Sequence, residues 1–309
     1  MSAAIKFIEH VTSQRLTSAQ KIQTVALKAL QEYAYQSGFT QLMPVMISPI
    51  TDPLNHQVYP AHIDYEQRRL SLTASMIFHK QMALMNPGIE KIFIVSPNIR
   101  LELASIKDSK RHMLEFSQFD FEIRNATMYD VMDFISKMFV HVFASVKKQC
   151  AAELDVLGRT LPDLSAPLEI FSSAALSEKH GEKFEEVLSA TITQPAFVTN
   201  YKREFYDRED KVEPGVYRNF DLIYPEGYGE GLSGAEREYE YDEIIRRMTE
   251  LNMDLAPYKN YLSIARDGKL PATAGAGIGI QRLIRYLCGA DAIADVCVFD
   301  RSVNSEFFV

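Results

Sequence analysis

Side-chain alternation in two neighbouring segments constrains the fold of this chain most. Residues 92–103 and 113–123 are rich in aromatic and β-branched side chains and flank a short polar loop, which predicts an antiparallel pair of strands. Successive side chains point to opposite faces of a strand, so Phe119, Phe121 and Ile123 share an apolar face. The opposite face carries Phe116, Gln118, Asp120 and Glu122. That second face must be either solvated or functional.

The surroundings of the polar face favour a functional interpretation. A solvated outer face is the ordinary explanation for polar strand residues. The loop between the strands, however, adds four basic groups: Lys107, Lys110, Arg111 and His112. Phe116 would also be unusual on a water-facing surface, and Arg100 and Glu102 share a face on the partner strand. Cations for phosphates, an aromatic ring for a base and carboxylates beyond them are what a nucleotide pocket requires.

A glycine-rich segment, residues 275–282, supplies the second half of the predicted site. Its three glycines allow close approach of backbones, and the apolar residues 283–287 predict a buried helix that ends at Gly289. Tight packing explains such a stretch more often than phosphate binding, and its spacing matches neither a P-loop nor the dinucleotide-binding fingerprint. Arg282 then lies near a strand-to-helix junction. Together, Arg100 and Arg282 indicate an ATP site that adenylates a carboxylate.

Charged residues elsewhere suggest a metal and a small acid. Asp221 precedes an apolar pair that predicts a strand, whereas Glu230 and Ser233 are expected in a glycine-rich turn. Hard oxygen donors brought together there suit Mg²⁺, although a pair of carboxylates is more often a solvated turn. Lys80 and Arg237 are cations in segments that otherwise look packed. Each forms a salt bridge with a neighbouring acid or, if both face a cavity, the two grip a small dicarboxylate.

Composition narrows the classes of function. The chain has 309 residues, with 33 basic against 41 acidic side chains and a net charge of −8, so wrapping of a polyanion is disfavoured. Three cysteines suit free thiols in a reducing cytoplasm. The first ten residues lack the pattern of an export signal, and no run approaches the roughly 20 apolar residues of a membrane helix. We therefore expect a cytoplasmic protein without a membrane partner.

Periodicity along the chain predicts a single α+β domain over residues 1–309. Thr17 and Gln20 resemble a capping box that begins a helix ending at Gly38, and another helix begins near Thr127. Residues 150–169 are expected to form a polar connector. Further helices are expected at residues 75–85, 177–188, 238–251 and 255–267, and further strands at residues 39–50, 69–72, 195–200 and 215–224.

Several stretches carry a resemblance to a known family: residues 44–53, 75–81, 96–102, 203–209 and 228–230. With Pro49, Arg100 and Arg282 at the positions of its three motifs, the chain resembles the catalytic domain of class II aminoacyl-tRNA synthetases in the aspartate and asparagine branch. Within that branch these stretches resemble the archaeal asparagine synthetases related to asparaginyl-tRNA synthetase. The resemblance covers nearly the whole chain. It implies a mostly antiparallel sheet flanked by helices, in a homodimer.

The resemblance also implies a role for each motif residue. Arg100 would bind the α-phosphate of ATP and stabilise the developing charge, and Phe116 and Arg282 would sandwich the adenine. Further ATP contacts are implied for Glu102, Arg111, His112 and Glu115. Aspartate would be held by Ser75, Lys80, Gln118, Asp120 and Arg237. Among these, Lys80 and Arg237 would read the side-chain carboxylate and favour aspartate over asparagine. Mg²⁺ would be held by Asp221 and Glu230, with Ser233.

The implied activity is that of an AMP-forming ligase. The β-carboxylate of aspartate attacks the α-phosphate of ATP bound to Mg²⁺, and ammonia then displaces AMP to give asparagine. No anticodon-binding barrel precedes the catalytic segment, which predicts that tRNA is not a partner. Ser2 stands where a glutaminase would need cysteine, so nitrogen is expected to arrive as ammonia or another small amine.

Departures from the family pattern leave two alternatives open. Gln281 stands where the third motif normally has an acidic residue, and Ala74 and Ala235 replace expected neighbours. One alternative is therefore a paralogue that joins aspartate to a different amine in a specialised pathway. The other is a non-catalytic ATP-binding protein, although such a protein would be expected to lack Arg100 or the metal carboxylates.

Overall fold

The computed structural model describes residues 2–303 and 305–306. The helices in that part of the chain are α1 (Ala3–Val11), α2 (Gln14–Gln36), α3 (Ile77–Ala83), α4 (Met128–Gln149), α5 (Ala151–Leu157), α6 (Ser173–His180), α7 (Phe184–Thr191), α8 (Tyr241–Glu250), α9 (Lys259–Arg266) and α10 (Ile280–Cys288). The strands there are β1 (Thr40–Gln41), β2 (Ile47–Ser48), β3 (Val58–Tyr59), β4 (His62–Tyr65), β5 (Arg68–Leu72), β6 (Lys91–Ile99), β7 (Leu101–Glu102), β8 (Glu115–Arg124), β9 (Ile170–Ser172), β10 (Ala196–Thr199), β11 (Asn219–Tyr224), β12 (Gly229–Glu236) and β13 (Thr273–Gly279).

One eight-stranded sheet organises the molecule. Its strand order is β1-β6-β8-β13-β12-β11-β10-β9. The two outermost pairs, β1 with β6 and β9 with β10, are parallel, and the pairs between them are antiparallel. Smaller sheets are formed by β2, β5 and β4 and by β3 and β7. The predicted α+β class, with a mostly antiparallel sheet flanked by helices, is confirmed.

The apolar face of the sheet packs against α2, α4 and α10. The predicted alternation in β8 is confirmed, since Phe119 and Phe121 are fully buried in this core, and the ring of Phe121 lies edge-on to Phe134 of α4 with centroids 5.1 Å apart. Burial of each such ring contributes about 1.5–3 kcal/mol. Helix α4 begins after Thr127, as predicted, and the structure shows that Thr127 and Asp130 form a capping box there. The opposite face of the sheet is therefore free to carry polar groups.

The first predicted strand is shorter than residues 92–103. Strand β6 ends at Ile99, and the backbone N–H of Glu102 donates to the carbonyl of Arg100 at 2.8 Å, which is a three-residue turn. The turn redirects the chain so that β7 pairs with β3 instead of β8. Arg100 consequently lies at the bend between two strands. Its backbone N–H still donates to the carbonyl of Leu114 at 2.9 Å.

Two helix predictions were wrong at their ends. Helix α2 begins at Gln14, because the Ser13 hydroxyl accepts a hydrogen bond from the N–H of Leu16 at 3.1 Å and caps the helix. The Thr17 hydroxyl is not a cap, since it donates to the carbonyl of Ser13 one turn earlier. The helix expected at residues 177–188 is two helices, α6 and α7, because Gly181 has a φ of +70° and interrupts the helical backbone.

The polar connector predicted for residues 150–169 was also wrong. Residues 151–157 form α5, and Leu154, Leu161 and Leu168 are buried in the main core. These leucines are spaced seven residues apart among polar neighbours. The polar composition of the segment therefore did not reveal that the leucines face the core. The other predicted helices and strands are present with shifted ends, except that residues 39–50 contain only the short β1 and β2. No helix of the described residues is long and apolar enough to cross a membrane.

Candidate active site

A cavity of about 460 Å³ opens on the polar face of the sheet and gathers nearly all predicted site residues. Strands β8, β11, β12 and β13 form its floor, and α3, the loop before β8 and the start of α10 contribute its walls. The predicted residues that line it are Ser75, Lys80, Arg100, Glu102, Arg111, His112, Phe116, Gln118, Asp120, Asp221, Glu230, Ser233, Arg237 and Arg282. Residues from distant parts of the sequence thus meet in one chamber.

Glu115 is the predicted site residue that does not line this cavity. Its side chain is 60% exposed, and its carboxylate lies 3.4 Å from Nε of Arg301 beside a neighbouring cavity. The alternation of β8 explains the difference, because Glu115 and Phe116 are adjacent in the strand and point to opposite faces. A role for Glu115 in binding ATP stays a prediction.

A network of buried charges lies at one end of the cavity. Nζ of Lys80 lies 2.8 Å from Oδ1 of Asp120 and 3.7 Å from Oε2 of Glu122. Nε of Arg237 donates to Oε1 of Glu122 at 3.0 Å, and its NH1 lies 3.8 Å from Asp207. The salt-bridge interpretation of the two cations is therefore confirmed, and both also line the cavity, so a role in binding a dicarboxylate stays a prediction. Such buried pairs require every partner, because an uncompensated buried charge is costly.

The glycines of β13 make room for these charges. An added Cβ at Gly275 would lie 2.2 Å from both Oε2 of Glu122 and the carbonyl of Phe121, and one at Gly277 would lie 2.9 Å from Oδ1 of Asp120. The intervening residues Ala274 and Ala276 point into the apolar core. The glycine-rich segment thus serves close packing, one of the two interpretations weighed from sequence.

Arginine and histidine side chains surround the other end of the cavity. Nε of Arg100 donates to the carbonyl of Ala74 at 3.1 Å, and its guanidinium lies over the Phe116 ring, 5.1 Å from the centroid. Burial, together with the charges of Arg282 and Arg111, lowers the pKa of His112 to about 4. The imidazole is therefore neutral at physiological pH. The carboxylate of Glu102 accepts a hydrogen bond from His56 at 3.1 Å.

Arg282 and Gln281 begin α10 and connect it to the sheet. NH1 of Arg282 lies 3.0 Å from Oε2 of Glu230. The side-chain oxygen of Gln281 accepts a hydrogen bond from the backbone N–H of Ser117 in β8 at 3.0 Å. An amide oxygen and a carboxylate oxygen both accept from such a donor. Glutamine at this position therefore keeps the link between α10 and β8 without adding a negative charge.

The three predicted metal ligands lie side by side on paired strands. Glu230 and Ser233 belong to β12 rather than to a turn, because they pair with Ile223 and Asp221 of β11. Between them, a Cβ at Gly231 would lie 2.1 Å from the Tyr224 ring. The Ser233 hydroxyl donates to Oδ1 of Asp221 at 2.6 Å and lies 3.4 Å from Oε1 of Glu230. Burial would raise the pKa of Glu230, but Arg282 and Arg111 lower it to about 2, so this carboxylate is ionised. Burial raises the pKa of Asp221, against the effect of Arg203.

This set of hard oxygen donors fits Mg²⁺. Within residues 2–303 and 305–306 no three His, Cys, Asp or Glu side chains are grouped to hold a metal by themselves. Mg²⁺ typically uses one or two carboxylates and completes its shell with phosphate oxygens and water. Asp221 and Glu230, with Ser233, would hold the ion, and it would neutralise charge on the phosphates of ATP.

Arg203 is a cavity residue to which sequence analysis gave no role. Its NH1 lies 2.7 Å from Oδ1 of Asp221, and its Nε lies 3.2 Å from Oδ2 of Asp207 and 3.3 Å from Oε2 of Glu204. It therefore links the metal carboxylates to the end of the cavity that holds Arg237. The signal was present in residues 203–209, which belong to the stretches that resemble the family, but no local pattern distinguished a cavity residue from a surface ion pair.

The fold and the cavity together define the catalytic domain of a class II synthetase, and comparison with known proteins agrees. Residues 4–303 match the family described as tRNA synthetases class II (D, K and N). The asparagine–tRNA ligase of Thermoplasma acidophilum is 26% identical over 312 residues, covering 94% of this chain and 71% of the relative. The aspartate–tRNA(Asp/Asn) ligase of Methanopyrus kandleri is 30% identical over 304 residues, covering 91% and 67%.

Solved structures show the same architecture. The asparaginyl-tRNA synthetase of Pyrococcus horikoshii in complex with asparaginyl-adenylate superposes with a TM-score of 0.89 at 22% identity, covering 100% of this chain and 74% of that one. The chain belongs to the class II tRNA synthetase family and is related to the asparaginyl and aspartyl enzymes. Members of this family are ATP-dependent ligases that activate an amino acid. The similarity does not separate an amide-forming ligase from a tRNA ligase.

Proposed function

We propose that this protein activates the β-carboxylate of aspartate with MgATP and transfers the aspartyl group to ammonia. The products are asparagine, AMP and pyrophosphate. The observation that carries the proposal is the position of Lys80 and Arg237, which are buried at one end of a cavity whose other end holds Arg100 and Arg282. A carboxylate of a diacid would contact Lys80 and Arg237, and the phosphates of a nucleotide would contact Arg100 and Arg282.

The donor chemistry of the buried cations supports a carboxylate at this end of the cavity. Lys80 and Arg237 offer N–H donors and no acceptor. A carboxylate accepts from both, whereas a carboxamide would turn its own NH₂ donors toward cations on at least one side. Asp120 and Asp207, which line the cavity, add acceptors for the α-ammonium group of an amino acid. A site with both signs of charge suits a zwitterion that carries one additional carboxylate.

Activation of the β-carboxylate sets the orientation of aspartate. The carboxylate that reacts at the α-phosphate lies toward Arg100, so the other carboxylate is held by Lys80 and Arg237. In our proposal the α-carboxylate takes that place, whereas the resemblance implied that the two cations read the side-chain carboxylate. Arg100 stabilises charge as the β-carboxylate attacks phosphorus and pyrophosphate leaves, and the residues act mainly by positioning and by preorganised charge.

The regiochemistry of the trapped product tests the proposal. The protein is incubated with aspartate, MgATP and either ammonium or hydroxylamine, and the products are separated against synthetic standards. We expect AMP, pyrophosphate, asparagine and the β-hydroxamate of aspartate. An Arg100→Ala variant should form none of them at a comparable rate. The α-hydroxamate, or ADP in place of AMP, would contradict the proposed chemistry.

A tRNA acceptor is the second candidate, because the relatives from Thermoplasma and Methanopyrus are tRNA ligases. It predicts activation of the α-carboxylate, and therefore that the side-chain carboxylate contacts Lys80 and Arg237. Transfer of labelled aspartate to total tRNA in an acid-precipitation assay would favour this candidate. Another amine acceptor is the third, and an amine panel with AMP as the readout would identify it. The homodimer, the single catalytic domain over residues 1–309 and the lack of a tRNA partner stay predictions.

A further inference from the structure

The loop between β10 and β11 places in the cavity a carboxylate that takes no part in the predicted binding of ATP, aspartate or metal. Glu204 lines the cavity, and its side chain is 14% exposed. In the part of the chain that the structure describes, its one ion pair is with Nε of Arg203, and that N–H group is shared with Asp207. No other side chain there donates a hydrogen bond to it. Glu204 is thus a weakly held carboxylate that faces the cavity.

The neighbours of Glu204 place it between the two ends of the cavity. Arg203 reaches the metal carboxylate Asp221 at 2.7 Å on one side. On the other side, Oδ1 of Asp207 lies 3.8 Å from NH1 of Arg237, which belongs to the end assigned to aspartate. The carboxyl group of aspartate and the first phosphorus of ATP must meet between these two ends. Glu204 therefore borders the place where an acyl-adenylate forms.

Residues 52–56, which contribute to the cavity wall and are called the lid below, also meet this region. The hydroxyl of Tyr206 donates to Oδ1 of Asp52 at 2.9 Å, and the segment that follows Asp52 reaches across to Glu102 through His56 at 3.1 Å. Asp52 and Asp207 both act on Glu204 electrostatically. A small cation that enters under this lid would meet negative charge from two elements of the chain.

We propose that Glu204 is the proton acceptor for the amine, binding an ammonium ion or a similarly small amine cation and deprotonating it next to the acyl-adenylate. This inference rests on the proposed function, in which ammonia is the acceptor. One proton moves from the cation to the Glu204 carboxylate and frees the nitrogen lone pair. The nitrogen then attacks the acyl carbon, the bond from that carbon to the AMP oxygen breaks, and a second proton leaves with the AMP phosphate.

The electrostatics of the cavity support a base at this position. Burial raises the pKa of Glu204 to about 8, the carboxylates of Asp207 and Asp52 act in the same direction, and Arg203 opposes them. A carboxylate whose pKa lies near the working pH both accepts and releases a proton readily. An ordinary solvated carboxylate would be too weak a base for an ammonium ion.

Two nucleophiles measured on one enzyme test the assignment. Ammonium is almost wholly protonated near neutral pH, whereas hydroxylamine is mostly neutral and needs no base before it attacks. The ratio of asparagine formation from ammonium to hydroxamate formation from hydroxylamine is measured for the wild type, Glu204→Gln and Glu204→Asp. Glu186→Gln is the matched control, because that side chain is 75% exposed on α7. The ratio is internal to each variant, so a change in the amount of folded enzyme cancels.

For Glu204→Gln we expect the ratio to fall about 10²-fold, which is a typical contribution of a general base. Glu204→Asp should recover part of it, and Glu186→Gln should match the wild type. An unchanged ratio in Glu204→Gln, including an equal loss with both nucleophiles, would overturn the assignment of Glu204 alone. A wild-type enzyme that forms the hydroxamate but no asparagine would instead overturn ammonia as the acceptor, and this inference with it.

Discussion

Buried charges dominate the chemistry of individual residues in this protein. Lys80, Asp120, Glu122 and Arg237 form a chain of ion pairs that is almost without solvent contact. Each cation is held by an acid 2.8–3.0 Å away. The same groups that stabilise the folded state by mutual compensation are therefore the ones assigned to aspartate, so substitution of any of them should affect both stability and binding.

Replacement of Lys80 with methionine separates these effects. The variant leaves Asp120 and Glu122 without their shared cation, and breaking a buried pair typically costs about 3–5 kcal/mol. Loss of one charge-assisted contact should also raise the aspartate concentration needed for pyrophosphate exchange about 10- to 100-fold, with little change for ATP. Urea unfolding and exchange kinetics measure the two quantities. The control Lys137→Met, at an exposed ion pair with Asp133, should change neither quantity. An unaltered dependence on aspartate in Lys80→Met would count against the assignment of Lys80 to aspartate.

The neutral imidazole of His112 makes stability depend on pH. Its pKa is about 4 in the folded state against an ordinary value of 6.5, so between these values the unfolded chain binds more protons. Stability is therefore lost as the pH falls through that window. The loss due to this partly buried ring should be on the order of 2 kcal/mol. Urea midpoints at pH about 7 and about 4.5 test it, because His112→Asn should lose less stability than the wild type. Equal losses would show that other groups cause the dependence.

Strand β13 is the element on which the site depends most. It lies between β8 and β12, and its residues alternate between alanine or isoleucine in the core and glycine under the cavity. A side chain at Gly275 or Gly277 would displace the carboxylates of β8. The glycines of this strand therefore leave room for Lys80 and Arg237 to approach the backbone of the sheet.

Gly275→Ala tests this role of the strand. The new Cβ would lie 2.2 Å from the Phe121 carbonyl, which is backbone and cannot move aside without separating β13 from β8. We expect the free energy of unfolding to fall by about 3 kcal/mol, as in overpacked cores. We also expect pyrophosphate exchange to need a higher concentration of aspartate. Gly88→Ala is the matched control, because its Cβ would meet only Asn86 at 3.4 Å. Full stability of Gly275→Ala in urea unfolding would argue against a close-packed floor.

At the scale of the whole molecule, exposed apolar residues cluster in the segment before β6. The exposed fractions are 84% for Met43 and 56% for Met46, and Tyr59, Ile63 and Tyr65 are exposed in the same segment. Patches of this kind mark contact surfaces. Pro49, assigned by resemblance to the dimer-forming motif, lies within the segment.

The predicted homodimer can be measured directly. Sedimentation equilibrium or light scattering should give a mass about twice that of the 35.1 kDa chain. The double variant Met46→Glu and Tyr59→Glu should shift the protein toward monomer, because charges in an apolar contact are not compensated. Tyr129→Glu on α4, outside the segment, should leave the mass unchanged. A monomeric wild type at micromolar concentration would contradict the prediction.

Local patterns were sufficient to predict much of the fold. The period-two alternation of β8 placed Phe119 and Phe121 in the core and Gln118 and Asp120 on the cavity face, because the direction of a side chain in a strand depends only on its own position. The start of α4 at Thr127 and the end of α10 at Gly289 were also predicted from local signals, because the residues that cap a helix lie next to its ends. The capping box predicted at Thr17 was wrong, because the Ser13 hydroxyl caps α2 one turn earlier.

The sequence by itself determined which side chains share a face and which motif residues resemble a synthetase, since both are written in short stretches of chain. Only the tertiary structure decided which faces meet. Lys80 reaches Asp120 because α3 lies against β8, and Gly277 stands opposite Asp120 because of the register between β13 and β8. The positions of Arg203 and Glu204 likewise follow from a loop between distant strands. Contacts between remote segments depend on the packing of the whole chain, which no local pattern contains.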